Sequence, residues 1–183
     1  MKHPLVLVLL SLFLASCAGT LPYPPDYPLS SEMFRSRDGS LSGRVPQGWV
    51  FSSEDTLAPA LVAWLVKEDF SASLSLEEIH LDRLSAERVD SEGLELLARM
   101  SLQFQQGPAA AQFTEPPVEF KLGGTRFCGY EIIVKGERKR IVVFAARGRF
   151  YECSAAPLKG VWSDEELTRL FAAQQGLLSS ITF

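Results

Sequence analysis

Few side chains in this sequence could do chemistry. The thiols are Cys17, Cys128 and Cys153, and once the first few residues are set aside the only imidazole is His80. A lone histidine excludes paired-histidine metal sites such as H-E-x-x-H. A Cys/His or Ser/His/Asp unit would need His80 as its base, with Cys128 or a serine brought to it. His80 follows Glu77-Glu78, which interrupt a strand's alternation, so it reads as a surface or strand-end residue. Cys128 stands in Arg126-Phe127-Cys128-Gly129-Tyr130, and a thiol among apolar neighbours packs as a small core residue. The adjacent carboxylates Glu77-Glu78 and Glu165-Glu166 diverge in a strand or helix, and the second pair suits a helix start, where the dipole favours negative charge. Gly123-Gly124-Thr125 lacks the lysine and spacing of a phosphate loop. The densest charge run, Lys135-Gly136-Glu137-Arg138-Lys139-Arg140, falls between two apolar strands. It reads as a solvated hairpin tip that discourages edge pairing. Arg138, Lys139 and Arg140 could also meet lipid headgroups or an acidic partner. These residues give no support to a catalytic centre, a metal or a cofactor.

Cys17 is a different case. Lys2 and His3 lead an apolar stretch from Leu5 to Leu14, and the small residues Ala15 and Ser16 precede the thiol. The stretch is about half the length of a spanning helix. Its order of charged lead, apolar middle and small-residue cleavage zone is that of a secretory signal. Leu14-Ala15-Ser16-Cys17 resembles the lipobox of bacterial lipoproteins. The resemblance implies cleavage after residue 16, a thioether-linked diacylglycerol on Cys17 and an acylated new amine. The alternative is an ordinary leader in which Cys17 is incidental. Each buried methylene contributes about 0.8 kcal/mol, so two or three chains hold firmly where one does not. Ala18 rather than Asp after the cysteine, by likeness to Gram-negative lipoproteins, favours the periplasmic side of the outer membrane.

Residues 17–31 then read as a tether. Leu21-Pro22-Tyr23-Pro24-Pro25-Asp26-Tyr27-Pro28 is proline-rich, and proline fixes φ and removes a donor, favouring an extended polyproline path. At about 3.1 Å per residue it could stand a domain tens of ångströms off a membrane. The Tyr–Pro pairs could instead dock a partner.

Residues 32–183 suit one domain, burying about two-thirds of its unfolded surface. With 18 basic and 22 acidic residues the chain is mildly acidic, more so once Lys2 leaves. That gives no support to nucleic-acid binding, which calls for a basic face. Leu41 to Phe51 predicts strand, tight turn, strand: Pro46 sets φ, Gly48 supplies freedom beyond it, and Trp49 plugs the core's edge. Residues 60–66 predict a strand paired with 71–76, serines outward, Ala and Leu inward. Residues 91–106 predict a helix whose stripe is Leu94, Leu97, Met100 and Phe104, stopped by Gly107 and Pro108. Strands at 118–122, 126–134, 140–146 and 149–154 predict an antiparallel meander. Cys128 and Cys153, on its outer strands, would lie about 9–10 Å apart, beyond the ~7 Å a disulfide allows. Ser163 to Glu166 predicts a capping box opening a last helix with Leu167, Leu170, Phe171, Leu177 and Leu178 inward. The order of elements indicates α+β.

The G-x-x-P-x-G-W turn at Gly43 to Trp49, followed by hairpin, helix, meander and closing helix, resembles the PsbP-like and DcrB-like domains over residues 40–183. The resemblance implies an antiparallel sheet of about six or seven strands between helices, an α/β/α sandwich, and brings no catalytic residues. The function expected is a membrane-anchored, non-catalytic envelope module that binds or scaffolds a protein partner. The alternative is a carrier or sensor of an apolar small molecule between helix and sheet, with Trp64, Trp162 and Phe104 as walls.

Overall fold

The structure, a computed structural model, describes residues 21–52, 58–105, 114, 116–134 and 136–183. The lipobox residues Leu14 to Cys17 and the helix-stopping pair Gly107 and Pro108 lie outside the described residues. In chain order the elements are β1 (Leu29–Arg35), β2 (Ser42–Pro46), β3 (Trp49–Ser52), β4 (Leu61–Lys67) and β5 (Ala72–Ile79). Helices α1 (Arg83–Glu92) and α2 (Leu94–Gln105) follow. Then come β6 (Val118–Leu122), β7 (Thr125–Val134), β8 (Glu137–Ala146), β9 (Arg149–Pro157) and α3 (Asp164–Ser179). Seven strands form one antiparallel sheet in the order β3-β4-β5-β9-β8-β7-β6, and β1 and β2 form a separate ribbon.

Alternation fixes which side chains face which layer. Ala72, Leu74 and Leu76 of β5 are buried, with Ser73 and Ser75 between them at partial exposure. They join Leu65, Phe127, Phe144 and Tyr151 in a core covered by α3 and the β1–β2 ribbon. The other face carries Cys128, Tyr130, Ile132, Ile141 and Val143 beneath α1 and α2. The result is the α/β/α sandwich that the PsbP-like and DcrB-like resemblance implies, within the α+β class indicated by the order of elements. Central β8 is buried continuously from Arg140 to Phe144, because it is covered on both faces. Among the described residues no helix is long and apolar enough to cross a membrane.

The turn before Trp49 forms as expected. Gly48 takes a φ of 80°, which a side chain would resist, and Trp49 is 5% exposed. Its two strands part company there: β2 pairs with β1, while β3 pairs with β4. Ser163 accepts from the Glu166 backbone while Glu166 reaches back, completing the capping box of α3. Cys128 and Cys153 are free and buried, on opposite faces of the sheet.

Three expectations are corrected. The helix predicted over 91–106 forms as α2 and is not the first: α1, which the sequence reading lacks, precedes it. Asp82 caps α1 by accepting from the Ser85 amide, and α2 starts only at Leu94 beyond Gly93. The buried stripe of α2 is Leu94, Leu97, Ala98, Ser101 and Leu102. At about 100° per residue, that stripe leaves Phe104 roughly a quarter-turn aside, and Phe104 is 66% exposed. Strand β8 begins at Glu137, paired with Val134, so Arg140 is three pairs in from the hairpin end and 2% exposed. The supposed tether is also occupied: from Leu29 it is strand β1, and Leu21, Tyr23 and Tyr27 pack on the α3-side core.

Candidate functional site

The proline-rich segment forms a strap across α3. The Tyr23 hydroxyl donates to Glu131 Oε1 at 2.5 Å, and its ring meets Phe171 edge-on at 5.2 Å. Burial and the neighbouring Glu131 carboxylate push its phenol pKa well up. Further along, Tyr27 lies against Gly176 of α3, where an ideal Cβ would stand 3.0 Å from Tyr27 Cβ and 3.3 Å from Tyr27 O. A side chain there would force the strap to give by a few tenths of an ångström.

Beneath Tyr23 lies Arg140, one of the residues predicted to form a basic surface. Its guanidinium sits 4.7 Å from the Tyr23 ring centre and 5.5 Å from that of Phe120. It donates to Gln174 Oε1 at 2.9 Å and Gln175 Oε1 at 2.8 Å. Desolvation lowers its pKa to about 10, which leaves it charged at neutral pH. Arg138 is also engaged, holding Glu131 at 2.5 Å and Asp164 at 3.3 Å. Lys139 projects to the opposite face, beside Ile132 across β7. The predicted basic patch is therefore dispersed: Arg140 serves the interior, and Arg138 ties strand to helix.

A half-open groove of about 720 Å³ lies on the α3 side of the sheet, towards β3. Its walls come from the start of α3 (Glu166, Arg169, Leu170), the β4–β5 turn (Lys67, Asp69) and the β9–α3 link (Lys159, Trp162), with Trp49 also lining it. Trp162 Nε1 donates to Lys159 O at 2.9 Å, and Lys67 Nζ stands 5.8 Å from the Trp162 ring centre. Asp69 accepts from the Ser71 amide and hydroxyl and from Lys67. The Ser71 bonds are the larger cause holding its pKa down at about 2. Lys159 spends its ammonium on the Asp69 carbonyl at 2.7 Å. Both lining carboxylates thus have internal partners, Glu166 in the capping box and Asp69 at its turn. The Trp49 indole N–H is buried with no partner among the described residues. Val161, at the rim, is fully exposed. Trp64 belongs elsewhere: with Val50, Val66 and Phe70 it lines a separate hollow of about 280 Å³ on the sheet's other face. The structure places Trp162 at a groove, but does not bring Trp64 or Phe104 to it.

The nucleophile candidates are withdrawn from solvent. Burial raises both Cys128 and Cys153 to about 12, so neither is a thiolate at neutral pH. His80 is exposed, its Nδ1 3.9 Å from Glu78. The charged group that sequence reasoning passed over is Glu152, 7% exposed under α2. Ser101 donates to one carboxylate oxygen and Gln105 Nε2 to the other at 2.5 Å, while the Tyr130 hydroxyl lies 2.6 Å from Ser101. Burial raises the Glu152 pKa. Two polar residues at inward positions, Ser101 on α2 and Glu152 on β9, were the available signal. No group of three or more potential metal ligands occurs among the described residues.

No family profile matches the chain, and no curated protein is significantly similar to it. Solved structures are. The solution structure of cyanobacterial PsbP (CyanoP) from Synechocystis sp. PCC 6803 superposes with a TM-score of 0.53 at 13% identity, covering 92% of this chain and 98% of that one. The fold is PsbP-like. A protein from Bacteroides thetaiotaomicron is matched at a TM-score of 0.43 and 12% identity, over 85% of this chain and 48% of its own. LpqN, involved in cell envelope biogenesis of Mycobacterium tuberculosis, is matched at 0.43 and 16%, over 78% and 82%. At these identities no residue role transfers.

Proposed function

We propose that this protein is a bacterial envelope lipoprotein, anchored through Cys17 on the periplasmic side of the outer membrane, whose PsbP-like domain is a non-catalytic module that binds a protein partner. The observation that carries the binding role is an open groove beside exposed Val161, in a domain whose thiols are buried and protonated. Exposed aromatic and aliphatic surface next to satisfied charges is the anatomy of an interaction site. The Leu14-Ala15-Ser16-Cys17 sequence supports the anchor.

A second reading is favoured by the same groove: a carrier or sensor of a small molecule seated against Trp162 and Leu170. The lining Lys67, Lys159 and Arg169 already have partners in Asp69 and Glu165, so an apolar molecule is the ligand this reading takes.

The anchor is tested by intact mass and membrane fractionation beside Cys17→Ser. Cleavage with added acyl chains, and release or retention of the leader in the variant, supports it. An unacylated protein outside the membrane fraction overturns it. The binding role is tested by cross-linking in native membranes with Trp162→Ala and Val161→Asp. A defined partner lost in both folded variants supports a protein-binding role. Unchanged cross-links refute the groove as the contact, and a lipid or metabolite co-purifying with wild type alone would favour the carrier.

A further inference from the structure

We infer that the side of the domain formed by β6 and β7, around the start of the strap, is the surface that faces the lipid bilayer. The inference rests on the proposed lipidation of Cys17.

The strap's seat fixes where the chain leaves the domain. Tyr23 is held by Glu131, Phe171 and Arg140, and Tyr27 fits the space left by Gly176. Pro22 borders a small hollow with Pro116, Val118, Gly129 and Glu131, so the exit lies at the β6–β7 edge. From Cys17 to Leu21 the chain advances four residues, which span at most about 14 Å when extended. A domain of this length has a radius of gyration of about 15 Å and so measures roughly 40 Å across. A leash shorter than half that width cannot let the domain turn its far side to the membrane.

The surface at the exit fits the partner. Val118 and Ile133 are 50% and 53% exposed, on the strands bordering the exit and on the same sheet face as Tyr23. Val118 pairs with Gly129, and Ile133 lies two residues beyond Glu131. Glu131 and Asp164, which flank Ile133 on this face, are both tied to Arg138. An aliphatic, locally neutralised patch suits the interface of a bilayer to which acyl chains already hold the protein. Strand β3 is six spacings away at the opposite edge, about 29 Å, so that edge of the sheet points outward.

The test uses the full-length acylated protein in phosphatidylethanolamine–phosphatidylglycerol vesicles carrying nitroxide-labelled lipid. A fluorophore is placed in turn at Val118→Cys, Ile133→Cys and, on the β4–β5 turn, Glu68→Cys. Quenching several-fold stronger at the first two positions than at the third is expected, with the difference shrinking when Tyr23→Ala frees the strap. Equal quenching at all three in protein shown by mass to be acylated overturns this orientation and leaves the anchor standing. Protein without acyl chains overturns both.

Discussion

Replacing Gly176 with alanine should change sign with the state of the strap. In an exposed helix interior alanine is favoured over glycine by about 1 kcal/mol. Here the new methyl would stand 3.0 Å from Tyr27 Cβ and 3.3 Å from its carbonyl oxygen, so backbone has to move. Overpacking of this kind costs about 1–3 kcal/mol. The net expectation for Gly176→Ala is therefore a loss of up to about 2 kcal/mol with the strap in place. In a Tyr23→Ala background the strap has lost its Glu131, Phe171 and Arg140 contacts and Tyr27 can retreat. The same substitution should then stabilise, by as much as about 1 kcal/mol. For a domain of this size each kcal/mol moves Tm by about 2–4 °C, so thermal melts and urea midpoints of the four proteins in the cycle resolve the inversion. Limited proteolysis between residues 21 and 28 should rise in both Gly176→Ala and Tyr23→Ala. If alanine raises Tm equally in both backgrounds and the strap stays protected, the close approach is not holding it.

Other outcomes follow from the buried charges. Arg140→Met removes an ion whose burial costs several kcal/mol, but leaves the Gln174 and Gln175 oxygens without donors at about 1–3 kcal/mol each. Arg140→Lys keeps the charge and loses the planar fork that meets both amides, so urea midpoints should rank Arg140→Lys below Arg140→Met; the reverse order contradicts the assigned contacts. Glu152 is raised in the fold by burial above its ordinary 4.5, so its protonated form is the one the fold favours. Its cost is absent at lower pH and grows as pH rises from about 4.5 through the raised value. Glu152→Gln should therefore gain on wild type between pH 4 and 8 in paired urea titrations, and parallel curves would refute this. Cys17→Ser should leave Tm of the folded domain unchanged while abolishing acylation, because among the described residues the strap is seated through Leu21, Tyr23 and Tyr27.

What could be read in advance was local. The alternation of residues 71–76, the short links of the meander and the Ser163 to Glu166 pattern each contain their own cause, so the β4–β5 hairpin, the β6–β9 meander and the start of α3 were legible, whereas the joining of β5 to β9 was not. Arg140 was not. Within Lys135 to Arg140 nothing distinguishes it, and its burial depends on β8 starting at Glu137 and on acceptors that arrive 34 and 35 residues later. The strap is hidden for a related reason: proline content describes a backbone path, whereas docking depends on Glu131, Phe171 and Gly176. Phe104 shows a third limit. A helical stripe gives periodicity but not phase, and here the bond from Ser101 to Glu152 turns α2 towards Ala98 and Leu102. Trp162 reads from the sequence as a wall without a groove, because the β4–β5 turn and α3 meet there only in the fold.

The two thiols offer a means of watching the domain breathe. Cys128 belongs to the layer under α1 and α2, Cys153 to the layer under α3 and the β1–β2 ribbon. Neither can be alkylated until its own layer lifts from the sheet. Because regions of a protein open with different free energies, modification rates under native conditions would report the lifting of each helical layer separately. The chain thus carries one built-in clock on each face, and ligands or partners that clamp only one face would slow only one of them.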